Sequence, residues 1–199
     1  MAITTHIFDT FMQPLELAGL SRVRRRALSR AVGCVLEVGA GSGLNAPYYD
    51  FHRVVSLHVT DRDADTPALR AAFHRAGAPP DRISFGDADL CELPYADASF
   101  DSIVCTLVLC SVASTAGAIR EMHRVLKPDG TVCFIEHVHS SHPVLRPVLD
   151  AVTPAWRRVA GGCRLNRNTL SAFRQQGFSV QVEHTAVDGV LRSGYAIRS

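Results

Sequence analysis

The chain has 199 residues, enough for a single domain with a sizeable core. Its 21 Lys and Arg against 19 Asp and Glu leave a net charge of +2, which gives no reason to expect nucleic acid as a partner. No apolar run approaches bilayer-spanning length, so no transmembrane segment is expected. Met1 to Gln13 lacks a charged region leading into an apolar core and does not read as a signal peptide, so the expected setting is cytoplasmic.

A helix is expected over Leu15 to Ala31. It carries the single basic run, Arg22, Arg24, Arg25, Arg26 and Arg30, which reads as a solvated face. Weak contact with an acidic membrane surface is the alternative. Next comes Val35-Leu36-Glu37-Val38-Gly39-Ala40-Gly41-Ser42-Gly43. An apolar run with one acid breaks into three alternating glycines, the pattern of a strand turning tightly into a helix. Glycine admits positive φ and lets a ligand lie against the main chain. A dinucleotide site reads G-x-G-x-x-G and needs room for a pyrophosphate. Here the spacing is G-x-G-x-G, and Leu44 stands where the last glycine of a dinucleotide motif would fall. Glu37 is placed to hold an ammonium. A zwitterionic amino-acid tail fits better than a diphosphate, so the expected cofactor is S-adenosylmethionine, with S-adenosylhomocysteine as its product.

Strands are expected at Cys34–Val38, Val54–Val59, Ile83–Phe85, Ser102–Leu109 and Thr131–Ile135. Helices fall between them near Gly43–Tyr49, Thr66–Ala76 and Ala116–Leu126. Asp61 ends the second strand, where an acid can accept hydrogen bonds from both ribose hydroxyls. Lys127-Pro128-Asp129-Gly130 stops a helix and turns into the next strand. Further helices are expected from about Pro143 to Val159 and Arg167 to Gln176, with a loop at Gly161-Gly162. Strands near Phe178–His184 and Gly189–Ile197 complete the pattern. The fold class is α/β: a Rossmann-like, doubly wound, seven-stranded sheet in the order 3-2-1-4-5-7-6, last strand antiparallel, with helices on both faces. The six cysteines, at 34, 91, 105, 110, 133 and 163, form no C-x-x-C pair, and Cys34, Cys105 and Cys133 read as reduced core residues.

Asp89-Leu90-Cys91-Glu92-Leu93-Pro94-Tyr95-Ala96-Asp97-Ala98-Ser99-Phe100-Asp101 resembles the D-A-x-x-L-P-F-x-D-x-S-F-D stretch of class I methyltransferases of the ubiquinone-biosynthesis type. Arg124-Val125-Leu126-Lys127-Pro128-Asp129-Gly130 resembles their R-V-L-K-P-G-G. The resemblance implies that Asp89 and the Leu90 N–H read the adenine edge, whereas Asp87 is out of register by two. It also implies that an N-terminal segment, His6 to Leu20, folds over the cofactor as a lid. The expected cofactor site comprises Glu37, Gly39, Ala40, Gly41, Gly43, Asn45, Asp61, Arg62, Asp89, Leu90, Cys105 and Thr106. The chain then reads as one methyltransferase domain: a helical lid over 1–31, a cofactor-binding core over 32–137 and acceptor-side elements over 138–199.

A narrower resemblance bears on the acceptor. Cys105 to Val112, Glu136-His137-Val138, Pro154-Ala155-Trp156, Gly162-Cys163 and Gly194-Tyr195-Ala196 look like the microsomal alkyl-thiol methyltransferases of animals. It implies a small-molecule acceptor, with sulfur as the acceptor atom. Oxygen, nitrogen or carbon methylation of a small aromatic, quinone or phospholipid is the alternative. A thiol must become a thiolate to attack, and a nearby imidazole can take its proton. His137, just past the fifth strand, is the candidate base or orienting group. Cys110 is the second catalytic candidate, and Cys110, Asp150, Trp156 and Cys163 are the expected acceptor pocket.

His137, His139 and His142 read H-x-H-x-x-H, but the Asp that precedes the last histidine in hydrolase motifs of this kind is missing, so no metal is expected there. Two other classes stay open. A nicotinamide oxidoreductase is opposed by Leu44 and the register of Asp89. A non-catalytic cofactor-binding domain is opposed by the intact cofactor motifs.

Overall fold

Four consecutive residues of β1 (Gly33–Val38), Val35 to Val38, are buried, as a strand covered on both faces requires. β1 is an interior strand, flanked by β2 (Val54–Asp61) and β4 (Phe100–Thr106). The computed structural model describes residues 16–62, 64–140 and 142–198. The remaining elements are α1 (Ser21–Leu28), β2 (Val54–Asp61), α2 (Pro67–Arg75), β3 (Ile83–Asp87), β4 (Phe100–Thr106), α3 (Thr115–Val125), β5 (Leu126–His137), α4 (Leu145–Val159), α5 (Thr169–Gln175), β6 (Phe178–Ala186) and β7 (Leu191–Arg198). The sheet runs β3-β2-β1-β4-β5-β7-β6. β1 to β5 pair parallel, and β7 runs antiparallel to both β5 and β6. Order and direction are as expected.

Side-chain caps set where several helices start. Thr66 accepts the Leu69 N–H ahead of Pro67, Ser114 accepts the Gly117 N–H, and Asn168 accepts the Ser171 N–H. One apolar cluster fills the face with Leu57, Leu69 and Phe73; the other joins Ile103, Ile119, Met122, Phe134 and Phe173. α4 sits differently. Thr153 is its one buried residue, and Val148 and Val152 are exposed. Among the described residues, no helix is long and apolar enough to cross a membrane.

Three expectations need correction. The helix after the glycines is only a three-residue 3-10 turn, Ala46–Tyr48, ended where Tyr49 turns extended. β4 ends at Thr106 rather than Leu109, since Leu107 adopts a left-handed φ of 58°. The expected helix over 15–31 is a π-turn, Glu16–Leu20, kinked at Gly19 and followed by α1. The lid expected over His6 to Leu20 lies largely in residues outside those described.

Candidate functional site

The carboxyl ends of β1, β2, β4 and β5 meet at one edge, where doubly wound sheets hold ligands. The turn after β1 dictates its shape. Gly39 has φ of 65°, and a Cβ there would stand 2.4 Å from Val108 Cγ2, so only glycine lets the turn close against the loop after β4. Gly41 is also left-handed, with φ of 55°, yet nothing lies within 4 Å of where its Cβ would be. Its main chain is bare toward open space, the property a cofactor lying on the backbone needs. Gly43 packs on Ala72 and Leu69 of α2, and Ala40 donates its N–H to Thr60 O at 3.1 Å.

Beneath this turn lies a buried polar network. Glu37 is 1% exposed. Its Oε1 accepts from Asn45 Nδ2 and its Oε2 from the Tyr49 hydroxyl, each at 2.8 Å. Asn45 Nδ2 also donates to Thr106 Oγ1 at 2.9 Å. Arg24 donates to Asn45 Oδ1 at 2.8 Å and to Thr106 Oγ1 at 3.3 Å, and pairs with Glu16 at 2.8 Å. Burial pushes the Glu37 carboxyl up to about 7, against the pull of the Asn45 and Tyr49 hydrogen bonds and the Arg24 charge. Glu37, Asn45 and Thr106, expected at a cofactor, are thus joined in one network. Arg24 corrects the reading of the basic run as a solvated face: it is buried and ties α1 to the site. Arg26 and Arg30 pair with Glu183 instead.

Asp61 closes the neighbouring strand. Its Oδ2 accepts the Gly41 N–H at 2.8 Å and its Oδ1 the Arg62 N–H at 2.7 Å, so it fixes the glycine turn while leaving lone pairs for another donor. Asp87 pairs with Asp61 in register at the end of β3 and accepts the Ala64 N–H at 2.8 Å. Asp89 lies two residues on, exposed, with its Oδ1 on the Cys91 N–H at 2.8 Å; Leu90 is buried. The two family-like stretches meet here. Arg124 donates to Leu93 O, Tyr95 O and Asp97, while Glu121 accepts the Leu93 N–H.

The fourth wall holds a residue that sequence reasoning passed over. Glu136, fully buried at the end of β5, accepts the N–H groups of Val108, Leu109 and Cys110 at 2.9, 2.9 and 3.3 Å. Burial pushes its carboxyl up to about 7, against the hydrogen bonds from Leu109 and Val108. Cys105 Sγ lies 3.5 Å from Glu136 Oε1, within the same cluster. An acid beside the candidate His137, in a strand otherwise apolar, was the available signal.

Glu136 thereby anchors the turn that carries Cys110. Arg167 clamps the same turn, donating to Leu109 O at 2.5 Å and Val112 O at 2.6 Å. The Gly161-Gly162 turn brings Cys163 back to it, and Arg164 N–H donates to Cys110 O at 2.9 Å. Cys163 Sγ sits 3.7 Å from His137 Nδ1, and the donor atoms of Cys110, His137 and Cys163 all lie within 4.8 Å of one another. The Cys163 thiol is shifted down by its hydrogen bond with Cys110, then by His137 and Trp156, against burial. The same sulfur–sulfur bond, with burial, pushes Cys110 up. Three expected acceptor-side residues therefore converge. The fourth, Trp156, is half-buried beside Cys163. Asp150 does not join them: it is exposed, accepts from Asn166 Nδ2 at 2.8 Å, and lies 3.4 Å from His139. His142 Nδ1 accepts the Val144 N–H, so the three H-x-H-x-x-H histidines each face a different group.

A depression of about 490 Å³ between Arg26, Arg30, Arg53, Thr131 and Tyr195 lies at the opposite edge of the sheet, away from these groups.

The fold and the glycine turn together define a class: the chain belongs to the class I S-adenosylmethionine-dependent methyltransferases, and residues 36–134 match the methyltransferase domain. It is 33% identical over 155 residues to the thiol S-methyltransferase TMT1B of Rattus norvegicus, covering 75% of this chain and 62% of that one. It is also 33% identical over 147 residues to the demethylmenaquinone methyltransferase of Roseiflexus sp., covering 70% and 59%. The chain thus spans about three fifths of the length of these relatives. A solved S-adenosylmethionine dependent methyltransferase from Mesorhizobium loti shares the fold at a TM-score of 0.65 and 21% identity, over 87% of this chain and 95% of that one. The [4+2]-cyclase SpnF shares it at a TM-score of 0.64 and 25% identity, over 81% and 58%. One architecture therefore serves more than one reaction, and the reaction has to be argued from the site.

Proposed function

We propose that the chain transfers the methyl group of S-adenosylmethionine to the sulfur of a small thiol. The observation that carries this reading is the convergence of His137 with Cys110 and Cys163 one loop away from the glycine turn. The thiol S-methyltransferase relatives support it independently. The bound cofactor supplies a methyl already activated on a sulfonium; the acceptor thiolate forms the new S–C bond, the old one breaks, and S-adenosylhomocysteine and a thioether leave.

The residues divide the work accordingly. Gly41 offers bare main chain to the amino-acid end, on a turn whose shape Gly39, Ala40 and Gly43 set. Asp61, beside Arg62, takes the ribose hydroxyls, and Asp89 with the Leu90 N–H takes the adenine. Glu37, Asn45, Cys105 and Thr106 hold the floor of the crevice. Because Glu37 already accepts two hydrogen bonds, it meets an ammonium through its remaining lone pairs. His137 handles the proton that the acceptor thiol gives up. Cys110, Cys163 and Trp156 wall the acceptor. Holding nucleophile and methyl together supplies on the order of 7–11 kcal/mol.

The demethylmenaquinone methyltransferase relative favours a second reading, carbon methylation of a quinol ring. Methyl-labelled cofactor offered with panels of thiols, phenols, amines and quinols separates the two. We expect label on sulfur, and transfer reduced about 100-fold in His137→Ala with affinity for S-adenosylhomocysteine unchanged. Label confined to carbon, oxygen or nitrogen overturns the thiol reading, as does full thiol activity in His137→Ala.

A further inference from the structure

We propose that Cys110, His137 and Cys163 bind a soft divalent cation, zinc by preference, and leave a fourth position open for the acceptor's sulfur. The three side chains come from three separate segments: the turn after β4, the end of β5 and the glycine turn after α4. Their donor atoms all lie within 4.8 Å of one another. Tetrahedral zinc, with Zn–S of about 2.3 Å and Zn–N of about 2.0 Å, holds sulfur and nitrogen about 3.5 Å apart. His137 Nδ1 and Cys163 Sγ stand at 3.7 Å. Two sulfurs and one imidazole favour zinc over the hard cations magnesium and calcium.

The frame is built before any ion arrives. Glu136 holds three successive N–H groups of the Cys110 turn, and the Arg164 N–H ties that turn to the Cys163 segment. Both cysteines are buried, and His137 is half-buried, so the histidine side is where another ligand can enter. Two buried thiols alone would be ordinary packing; an imidazole nitrogen turned onto one of them is not needed for packing. Three protein ligands with an open fourth position is the arrangement of catalytic rather than structural zinc.

The catalytic consequence, unlike ion binding itself, rests on the thiol reading. A thiol that coordinates a metal is deprotonated, its proton passing to solvent. Its sulfur keeps a lone pair for the methyl carbon, and the electrons of the broken bond stay on the sulfur of the departing S-adenosylhomocysteine. With the ion bound, His137 acts as a ligand rather than as the proton acceptor.

The test uses the full chain, reduced and stripped of metal, titrated with cobalt(II) without oxygen. We expect one equivalent to bind with the absorption of tetrahedral cobalt and a thiolate-to-metal charge-transfer band, both lost on adding zinc. Cys110→Ser and Cys163→Ser should each weaken zinc binding by at least about tenfold, while His139→Ala and His142→Ala leave it unchanged. Retained binding of S-adenosylhomocysteine shows that each variant is folded. Absence of the charge-transfer band in the unaltered chain, or zinc affinity unchanged in both serine variants, overturns the proposal. The two readings fail separately: label on carbon with the band present removes only the thiol assignment, and thiol methylation without the band removes only the metal.

Discussion

Glu136 and Glu37 are buried acids whose carboxyls both sit near 7, from an ordinary value of 4.5. Around pH 6 the folded chain holds protons at these groups that the unfolded chain has released. Folding stability from each is therefore largest at low pH and falls as pH rises through about 7, by about 3 kcal/mol for a shift of this size. His58 and His123 act in the opposite sense, since burial lowers both. The contribution of Glu136 is thus read by difference. Glu136→Gln keeps the shape and the oxygen that accepts from Val108 and Leu109, gives up the one that accepts from Cys110, and cannot ionise. Urea unfolding at about pH 5 and about pH 8 should show the variant gaining up to about 3 kcal/mol relative to the unaltered chain. A difference that does not change with pH contradicts the assignment.

The turn between β1 and the 3-10 segment shows two kinds of glycine doing two jobs. Gly39→Ala drives a methyl into Val108, so it should unfold the loop contact and lower stability. Gly41→Ala meets no neighbour and should cost only the left-handed strain, about 1–2 kcal/mol, while still weakening cofactor binding. Denaturation and calorimetric titration of the two variants separate these effects; equal loss of stability in both contradicts the division. At this scale the sequence was legible wherever a residue has one permitted role. The E-x-G-x-G-x-G run announced the turn, and Asp61 fell at the end of its strand. The helix after the turn was not legible, because Pro47 within a short span permits either a helical start or a lone 3-10 turn. Arg24 was missed because one face of a basic helix looks alike from every side until the sheet covers it.

Across the whole molecule, the seven-stranded order was readable from the alternation of apolar runs with helical segments, and the antiparallel β7 from the closing hairpin. Convergence of distant side chains was readable only in part. The sequence named Cys110, His137 and Cys163 as separate candidates, but their meeting depends on the parallel register of β4 and β5 and on the return of the chain at Gly161-Gly162. Asp150, grouped with them by sequence, turns to Asn166 and His139 because α4 rests on the surface with little of it buried. These placements all depend on one edge of the sheet serving as the cofactor crevice. Calorimetric titration of S-adenosylhomocysteine into the unaltered chain and into Asp61→Ala tests that directly. One binding site is expected, with a dissociation constant on the order of micromolar and a loss of about tenfold or more in the variant. No heat at millimolar ligand, or equal affinity in Asp61→Ala, would contradict it.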